Sequence, residues 1–202
     1  MIGIVDYAVG NLFSLESSFA AIGEDVCISS DREVLRRADK IILPGVGAFE
    51  DAAQKLRASG LDDFLKEQAS HGKPLLGICL GMQLLFDKSL EYGEHKGLGL
   101  IPGVVRPIED VIPKDYKIPQ IGWNYLKFTK DSALFSQIHD GDFVYFVHSY
   151  YADCPKEFLS ATTEYGAQLT ASVEKENVFG CQFHPEKSGR VGLGILKAFA
   201  KL

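Results

Sequence analysis

Three places in these 202 residues combine side-chain types and spacings that could support covalent chemistry: a cysteine framed by glycines, an imidazole two residues before a carboxylate, and a glycine-rich strand end. In Gly77-Ile78-Cys79-Leu80-Gly81 the glycines flank the sulfur symmetrically. That is the spacing of a nucleophile elbow, where glycines permit close backbone approach at a sharp turn. The apolar run Leu75 to Ile78 reads as a strand, and Leu80, Met82 (or Gln83) and Phe86 then recur at helical spacing, so the period changes at Cys79. The thiol is therefore expected on a strand-to-helix turn at the carboxyl end of a sheet, where a helix N-terminus favours a thiolate and can receive an oxyanion. Cysteine is also among the most buried residue types, and an inert core thiol is the competing reading.

The second cluster is Phe179-Gly180-Cys181-Gln182-Phe183-His184-Pro185-Glu186-Lys187-Ser188. Strand alternation puts Phe179, Cys181 and Phe183 on one face, which makes Cys181 a core residue rather than a second nucleophile. Pro185 fixes its own φ and biases His184 toward extended backbone, so His184 and Glu186 are expected to point the same way. A carboxylate behind an imidazole fixes its tautomer and stabilises the imidazolium, as the third member of a catalytic triad does. Taken alone, His-Pro-Glu reads first as a surface turn. Together with the Cys79 elbow it reads as a Cys-His-Glu triad. The third place, Pro44-Gly45-Val46-Gly47, also ends a strand. Glycines on both sides of Val46 allow its peptide more than one orientation, so backbone N–H groups could turn toward an oxyanion near Cys79; a plain turn is the alternative. It lacks the third glycine and the lysine of a phosphate loop.

These groups must be positioned by the elements around them. Strands are expected at Ile2 to Asp6, Val26 to Ile28, Lys40 to Leu43 and Leu75 to Ile78. Between them fall helices: one capped by Asn11 with Leu12, Leu15, Phe19 and Ile22 as its stripe and Gly23 as its stop, one over Arg32 to Ala38 capped by Asp31, and two around Ala48 to Ala58 and Leu61 to Ser70. This alternation predicts an α/β fold, an open doubly wound and largely parallel sheet whose sites lie at the carboxyl ends of strands. From Gly97 onward prolines interrupt shorter extended segments, at Asp142 to Tyr151, Phe158 to Thr163, Ala167 to Val173 and Val178 to Phe183. They predict antiparallel extensions. A C-terminal helix from Gly189 to Leu202 places Val191, Ile195, Ala198, Phe199 and Leu202 on one face. No linker or repeat interrupts the chain, and residues 1–202 read as a single domain.

Composition narrows the function. A net charge of -6 with no basic patch argues against a nucleic-acid partner. The N-terminus reads as a buried strand rather than a signal peptide, and no apolar run is long enough to span a membrane. Four separated cysteines without Cys-x-x-Cys suggest free thiols in the cytoplasm and no metal site.

Gly-Ile-Cys-Leu-Gly-Met-Gln (77–83) with Gln-Phe-His-Pro-Glu-Lys-Ser (182–188) resembles the class I, triad-type glutamine amidotransferases. Pro-Gly-Val-Gly-Ala-Phe (44–49), Ile-Gly-Trp-Asn (121–124) and Tyr-Phe-Val-His-Ser-Tyr (145–150) narrow the resemblance to the glutaminase subunits of imidazole glycerol phosphate synthases. The resemblance implies that Cys79 attacks the glutamine side-chain amide, that His184 serves as acid and then base, and that Glu186 orients His184. It implies an oxyanion hole from Leu80 N–H and the Gly45-Val46-Gly47 backbone, and a glutamine site made by Gln83, Glu91, Ser149 and Tyr150. Glu91 suits the substrate's α-ammonium but reads equally as a solvated loop acid. Trp123, Asn124, Tyr145 and Lys187 would dock on a (β/α)8 cyclase subunit in a heterodimer that feeds ammonia into histidine biosynthesis, with no cofactor. His148 reads as a structural histidine. Relatives commonly carry histidine where this chain has Gln120, which cannot change charge near neutral pH. The alternatives are a glutaminase subunit of another synthase, such as pyridoxal phosphate synthase, whose relatives carry Pro-Gly-Gly-Glu-Ser at the oxyanion loop, and a non-catalytic regulatory module, for which a damaged triad is expected.

Overall fold

In the computed structural model, which describes Met1 to Leu202, the N-terminal half alternates as its periodicities require. Strand β1 (Ile2–Val5) leads to α1 (Leu12–Ala21), where the Asn11 side-chain oxygen accepts the Ser14 N–H and Leu15 and Phe19 are buried. Next come β2 (Val26–Ser29), α2 (Arg32–Arg36) behind its Asp31 cap, and β3 (Lys40–Leu43). The helices α3 (Phe49–Ser59) and α4 (Leu61–Ser70) are hinged at Gly60, whose φ of 68° suits glycine. β4 (Leu75–Ile78) then delivers the chain to Cys79.

The helix after Cys79 departs from expectation. α5 (Leu80–Leu84) stops before Phe86, which instead begins β5 (Phe86–Ser89). The cause is long-range pairing. The Leu98 N–H takes the Leu84 carbonyl at 2.8 Å, Leu100 takes Leu85 at 2.8 Å and Gly99 takes Phe86 at 3.0 Å, so the carbonyls that would propagate the helix are already engaged. β6 (His95–Lys96) and β7 (Ile101–Pro107) complete this subsidiary region, which local periodicity did not reveal.

The remaining elements are β8 (Gln120–Tyr125), β9 (Lys127–Phe128), β10 (Phe143–His148), β11 (Tyr150–Asp153), β12 (Leu159–Glu164), β13 (Gln168–Lys175), β14 (Val178–Cys181) and α6 (Gly189–Ala200). The main sheet runs β2-β1-β3-β4-β14-β13-β12-β9, parallel as far as β14 and antiparallel beyond it. β8 and β10 form an antiparallel pair, and β11-β7-β5-β6 a separate small sheet. The expected α/β class with antiparallel extensions is thus present. No helix is long and apolar enough to cross a membrane.

Both faces of the main sheet are covered, so its strands alternate between two cores rather than between core and water. Ile41, Leu43 and Leu75 pack with α3 and α4 residues such as Leu56 and Phe64. Ile42, Leu76 and Ile78 pack on the other side with Phe19 of α1, Phe199 of α6 and Phe146 of β10. In α6, Ile195, Ala198 and Phe199 are buried as expected, but the helix ends at Ala200 and Leu202 is left exposed.

α6 lies tight against the turn before it because Gly192 has no side chain: a Cβ there would sit 1.8 Å from the Pro185 carbonyl oxygen. Gly192→Ala must push the helix off that turn. We expect a loss of about 1–3 kcal/mol, measured as a lower urea midpoint at unchanged m-value.

Candidate active site

Cys79 occupies the junction of β4 and α5 with φ 54° and ψ -114°, a conformation L-residues rarely adopt. The flanking glycines explain how the turn closes. A Cβ on Gly81 would lie 1.9 Å from the Leu43 carbonyl oxygen, and one on Gly77 2.6 Å from the Gly81 carbonyl oxygen. The elbow therefore requires both glycines for close approach. α5 spans only five residues, so any dipole effect on the sulfur is smaller than a long helix would supply. Beyond the elbow, the sulfur has Val147 O at 3.9 Å and Gln182 Nε2 at 3.8 Å.

The parallel pairing of β4 with β14 brings the second cluster alongside. Gly77 is in register with Gly180 and Ile78 with Cys181, and the Cys79 N–H donates to the Cys181 carbonyl at 2.7 Å. Cys181 itself is fully buried among core residues, and burial pushes its thiol up to about 12, as befits packing rather than chemistry. Past β14 the chain turns at once. His184 is extended, but Pro185–Lys187 is a single 3-10 turn, not continued strand. That turn, rather than strand alternation, brings Glu186 under the ring, where the His184 Nδ1–H donates to Glu186 Oε1 at 2.8 Å. Burial works against a charged His184, yet hydrogen bonds and charge from Cys79 and Glu186 outweigh it and raise the group to about 9. The ring's Nε2 is buried and makes no aligned hydrogen bond, while Glu186 fixes the ring's orientation through Nδ1.

Cys79 and His184 line one cavity of about 530 Å3, large enough for an amino acid. Val46, Gly47 and Leu80 also line it, as do Gln83, Glu91, Ser149 and Tyr150. Of the residues expected at the site, Gly45 and Glu186 do not line this cavity; the others reach it from distant parts of the chain. Glu186 stands behind the ring. Glu91 is not a solvated acid: its carboxylate accepts the Phe49 N–H at 2.5 Å and so caps α3, whose own N-cap Ala48 offers no side-chain acceptor. Gln83 directs its amide nitrogen inward, to Tyr150 O at 3.2 Å and Gln182 Oε1 at 3.0 Å.

The oxyanion hole expected from Gly45, Val46, Gly47 and Leu80 is not assembled. The Leu80 N–H donates to the Gly45 carbonyl at 3.3 Å, so a carbonyl oxygen engages the donor an oxyanion would need. Tyr7, which sequence reasoning missed, donates its buried hydroxyl to the adjoining Pro44 carbonyl at 2.7 Å. Burial and the nearby Cys79 raise that phenol, keeping it a donor. Nothing in its sequence context marks it.

His148 is buried, with Nδ1 at 2.8 Å from Tyr150 O and Nε2 at 2.9 Å from Gln120 Oε1. Burial lowers it to about 4, so it is neutral at physiological pH and its role is structural. The outer face of β8 and β10 carries cross-strand pairs Trp123–Tyr145 and Tyr125–Phe143, with Trp123 55% and Phe143 53% exposed. Lys187 is exposed on the turn after β14, and Trp123 lies over Gly189. Asn124 lies next to Trp123 on β8. Alternation turns its side chain away from Trp123, and it bonds Glu164 O at 2.7 Å and the Tyr125 N–H at 2.9 Å.

The family model for class I glutamine amidotransferases matches residues 4–201, and the chain belongs to that family. Fold likeness agrees: a crystal structure of a glutamine amidotransferase aligns with TM-score 0.76 at 17% identity, covering 98% of both chains, and PurLQS from Thermotoga maritima with 0.75 at 18%, covering 99% and 97%. More specifically, the chain is 49% identical to imidazole glycerol phosphate synthase subunit HisH of Bacillus cytotoxicus and 50% identical to that of Bacillus cereus, over 98% of this chain and 93% of each relative. It is a HisH-type class I glutamine amidotransferase.

The two buried histidines shift stability in opposite senses. His184 is raised from 6.5 to about 9, so its contribution is full below 6.5 and fades as pH climbs through about 9. His148 is lowered from 6.5 to about 4, so its contribution is full above 6.5 and fades as pH falls toward about 4. Urea midpoints are expected to be highest near neutral pH, each histidine being worth on the order of 3 kcal/mol at its limb. His184→Asn should reduce the fall between about pH 6.5 and 9, and His148→Asn the fall between about pH 6.5 and 4.

Proposed function

We propose that the chain hydrolyses glutamine to glutamate and ammonia through Cys79, His184 and Glu186. The ammonia passes to a cyclase subunit with a (β/α)8 barrel, its partner in a heterodimeric imidazole glycerol phosphate synthase. In that assembly it serves histidine biosynthesis, in which imidazole glycerol phosphate and aminoimidazole carboxamide ribotide are formed. The observation that carries this reading is the His184 ring held at 2.8 Å by Glu186 beside a cavity that Cys79 also lines.

The steps follow from the groups in place. The Cys79 thiol passes its proton to His184 Nε2 as the sulfur attacks the side-chain carbonyl carbon of glutamine, and the carbonyl electron pair moves onto oxygen. His184, with Nδ1–H engaged by Glu186, gives its Nε2 proton to the departing nitrogen, so ammonia leaves and a glutamyl thioester forms. The neutral ring then takes a proton from water, which adds to the thioester. Collapse releases glutamate and returns the proton to sulfur. Glutamine and water are consumed, and glutamate and ammonia are formed.

Around the amide, both hydrogens of the Gln83 amide nitrogen are directed inward, which leaves its oxygen as an acceptor for the substrate. Glu91 supplies negative charge for the α-ammonium, with Ser149 and Tyr150 beside it. The exposed aromatic ladder of β8 and β10, with Trp123, Tyr145 and Lys187, is the docking face for the cyclase; Asn124 braces that face from behind. Because the Gly45 carbonyl engages Leu80, catalysis requires the Gly45–Val46 peptide to rotate and present an N–H instead.

Cys79→Ala is expected to drop glutamate release to background while the assembled synthase still forms its product from added ammonium. Normal hydrolysis by that variant would remove Cys79 from the mechanism. The chain alone is expected to release glutamate about 10² to 10³ times more slowly than the ligand-bound complex, the usual worth of an oxyanion donor. Equal rates with and without the partner would rule out a latent oxyanion loop.

A further inference from the structure

Gln182 belongs to the motif that carries His184, yet the triad gives it no task. Its side chain is fully buried, with Nε2 3.8 Å from Cys79 Sγ and Oε1 accepting from Gln83 Nε2 at 3.0 Å. Cys181 and Phe183 on either side face the core, so alternation turns Gln182 toward the elbow.

An amide can present either oxygen or nitrogen to a sulfur, and the two have opposite effects. Here a backbone carbonyl decides which. Tyr150 O can only accept, so Gln83 must face it with nitrogen, at 3.2 Å. The same nitrogen then obliges Gln182 to answer with oxygen, which leaves the Gln182 N–H for the sulfur. On the far side of Tyr150 O, His148 donates from Nδ1 at 2.8 Å, while its Nε2 lies 2.9 Å from Gln120 Oε1. The amide directions of Gln83 and Gln182 are thus set by one peptide oxygen.

The sulfur otherwise faces the Val147 carbonyl at 3.9 Å, which accepts from a thiol but repels a thiolate. We propose that Gln182 is a further catalytic group of the glutaminase reaction: its Nε2–H donates to Cys79 Sγ, offsets the Val147 carbonyl and stabilises the thiolate that attacks glutamine. Gln83 is the positioning residue that holds the Gln182 amide in that orientation. The proposal rests on Cys79 being the nucleophile. Other titratable groups around the sulfur are His184, backed by Glu186, Tyr7 before α1 and the neutral His148 of β10.

The test uses the full chain with its cyclase partner and follows capture of Cys79 by iodoacetamide across pH, with the labelled site read by mass spectrometry, beside kcat and KM for glutamate release. Gln182→Met keeps the volume and removes the donor. Alkylation near neutral pH should slow about tenfold or more, its profile should move to higher pH, and kcat should fall about 10- to 100-fold with KM changed less, the range expected when a hydrogen bond to a charged group is lost. Gln182→Glu keeps the shape and the bond from Gln83 but turns an oxygen to the sulfur. It should lower both rates further, and it carries the test if the methionine variant does not fold. Alkylation profiles and kcat within twofold of the parent in the folded variant overturn the role of Gln182. If the parent still releases glutamate after Cys79 is fully alkylated, the nucleophile assignment itself falls, and that outcome is distinct.

Discussion

Everything at the site hangs from the parallel seam between β4 and β14. That seam sets Gly77 beside Gly180 and Ile78 beside Cys181, and it ends in a 2.7 Å bond from the Cys79 N–H to the Cys181 carbonyl. Two strands that share a register and a direction deliver their next residues to the same rim, so the elbow after one and the turn after the other must meet. Glycines keep the seam thin where helix and strand cross it. A Cβ on Gly180 would lie 2.4 Å from Met82 Cγ, which is why α5 can sit directly over the strand that carries the imidazole.

The same rim is tied to the outer aromatic face by a closed set of bonds. His184 N–H donates to Tyr145 O at 2.9 Å, Tyr145 N–H donates to Ser188 Oγ at 2.9 Å, and Ser188 Oγ–H donates to His184 O at 2.6 Å. Tyr145 pairs across the strands with Trp123. The backbone of His184 is therefore fastened to β10, the strand that carries Tyr145 and, on its outer face, the exposed Phe143.

On the opposite side of the cavity the segment from Pro44 to Phe49 is restrained at both ends. Tyr7 holds the Pro44 carbonyl and Glu91 holds the Phe49 N–H, while Val46 between them is 44% exposed. A short segment fixed at its ends and free in the middle can exchange one peptide orientation for another without disturbing the core.

Much of this was legible in the chain. Alternating periods located the strands from Ile2 to Ile78 and their helices within a residue or two, because each has local caps or glycine stops, and the glycine spacing about Cys79 marked an elbow since only a residue without Cβ tolerates Leu43 O at such range. The spacing of His184 and Glu186 was readable as an imidazole with a carboxylate behind it, and Cys79 lines the same cavity as that imidazole. What required the tertiary structure was whatever depends on backbone groups from elsewhere. α5 ends at Leu84 because residues near Leu98 take its carbonyls, Asn124 turns inward because its strand pairs with β10, Glu91 serves as a remote cap, and Gly45 stands across the Leu80 N–H. Side-chain type and spacing are written in the sequence; the partner of a carbonyl is chosen only when distant strands come into register.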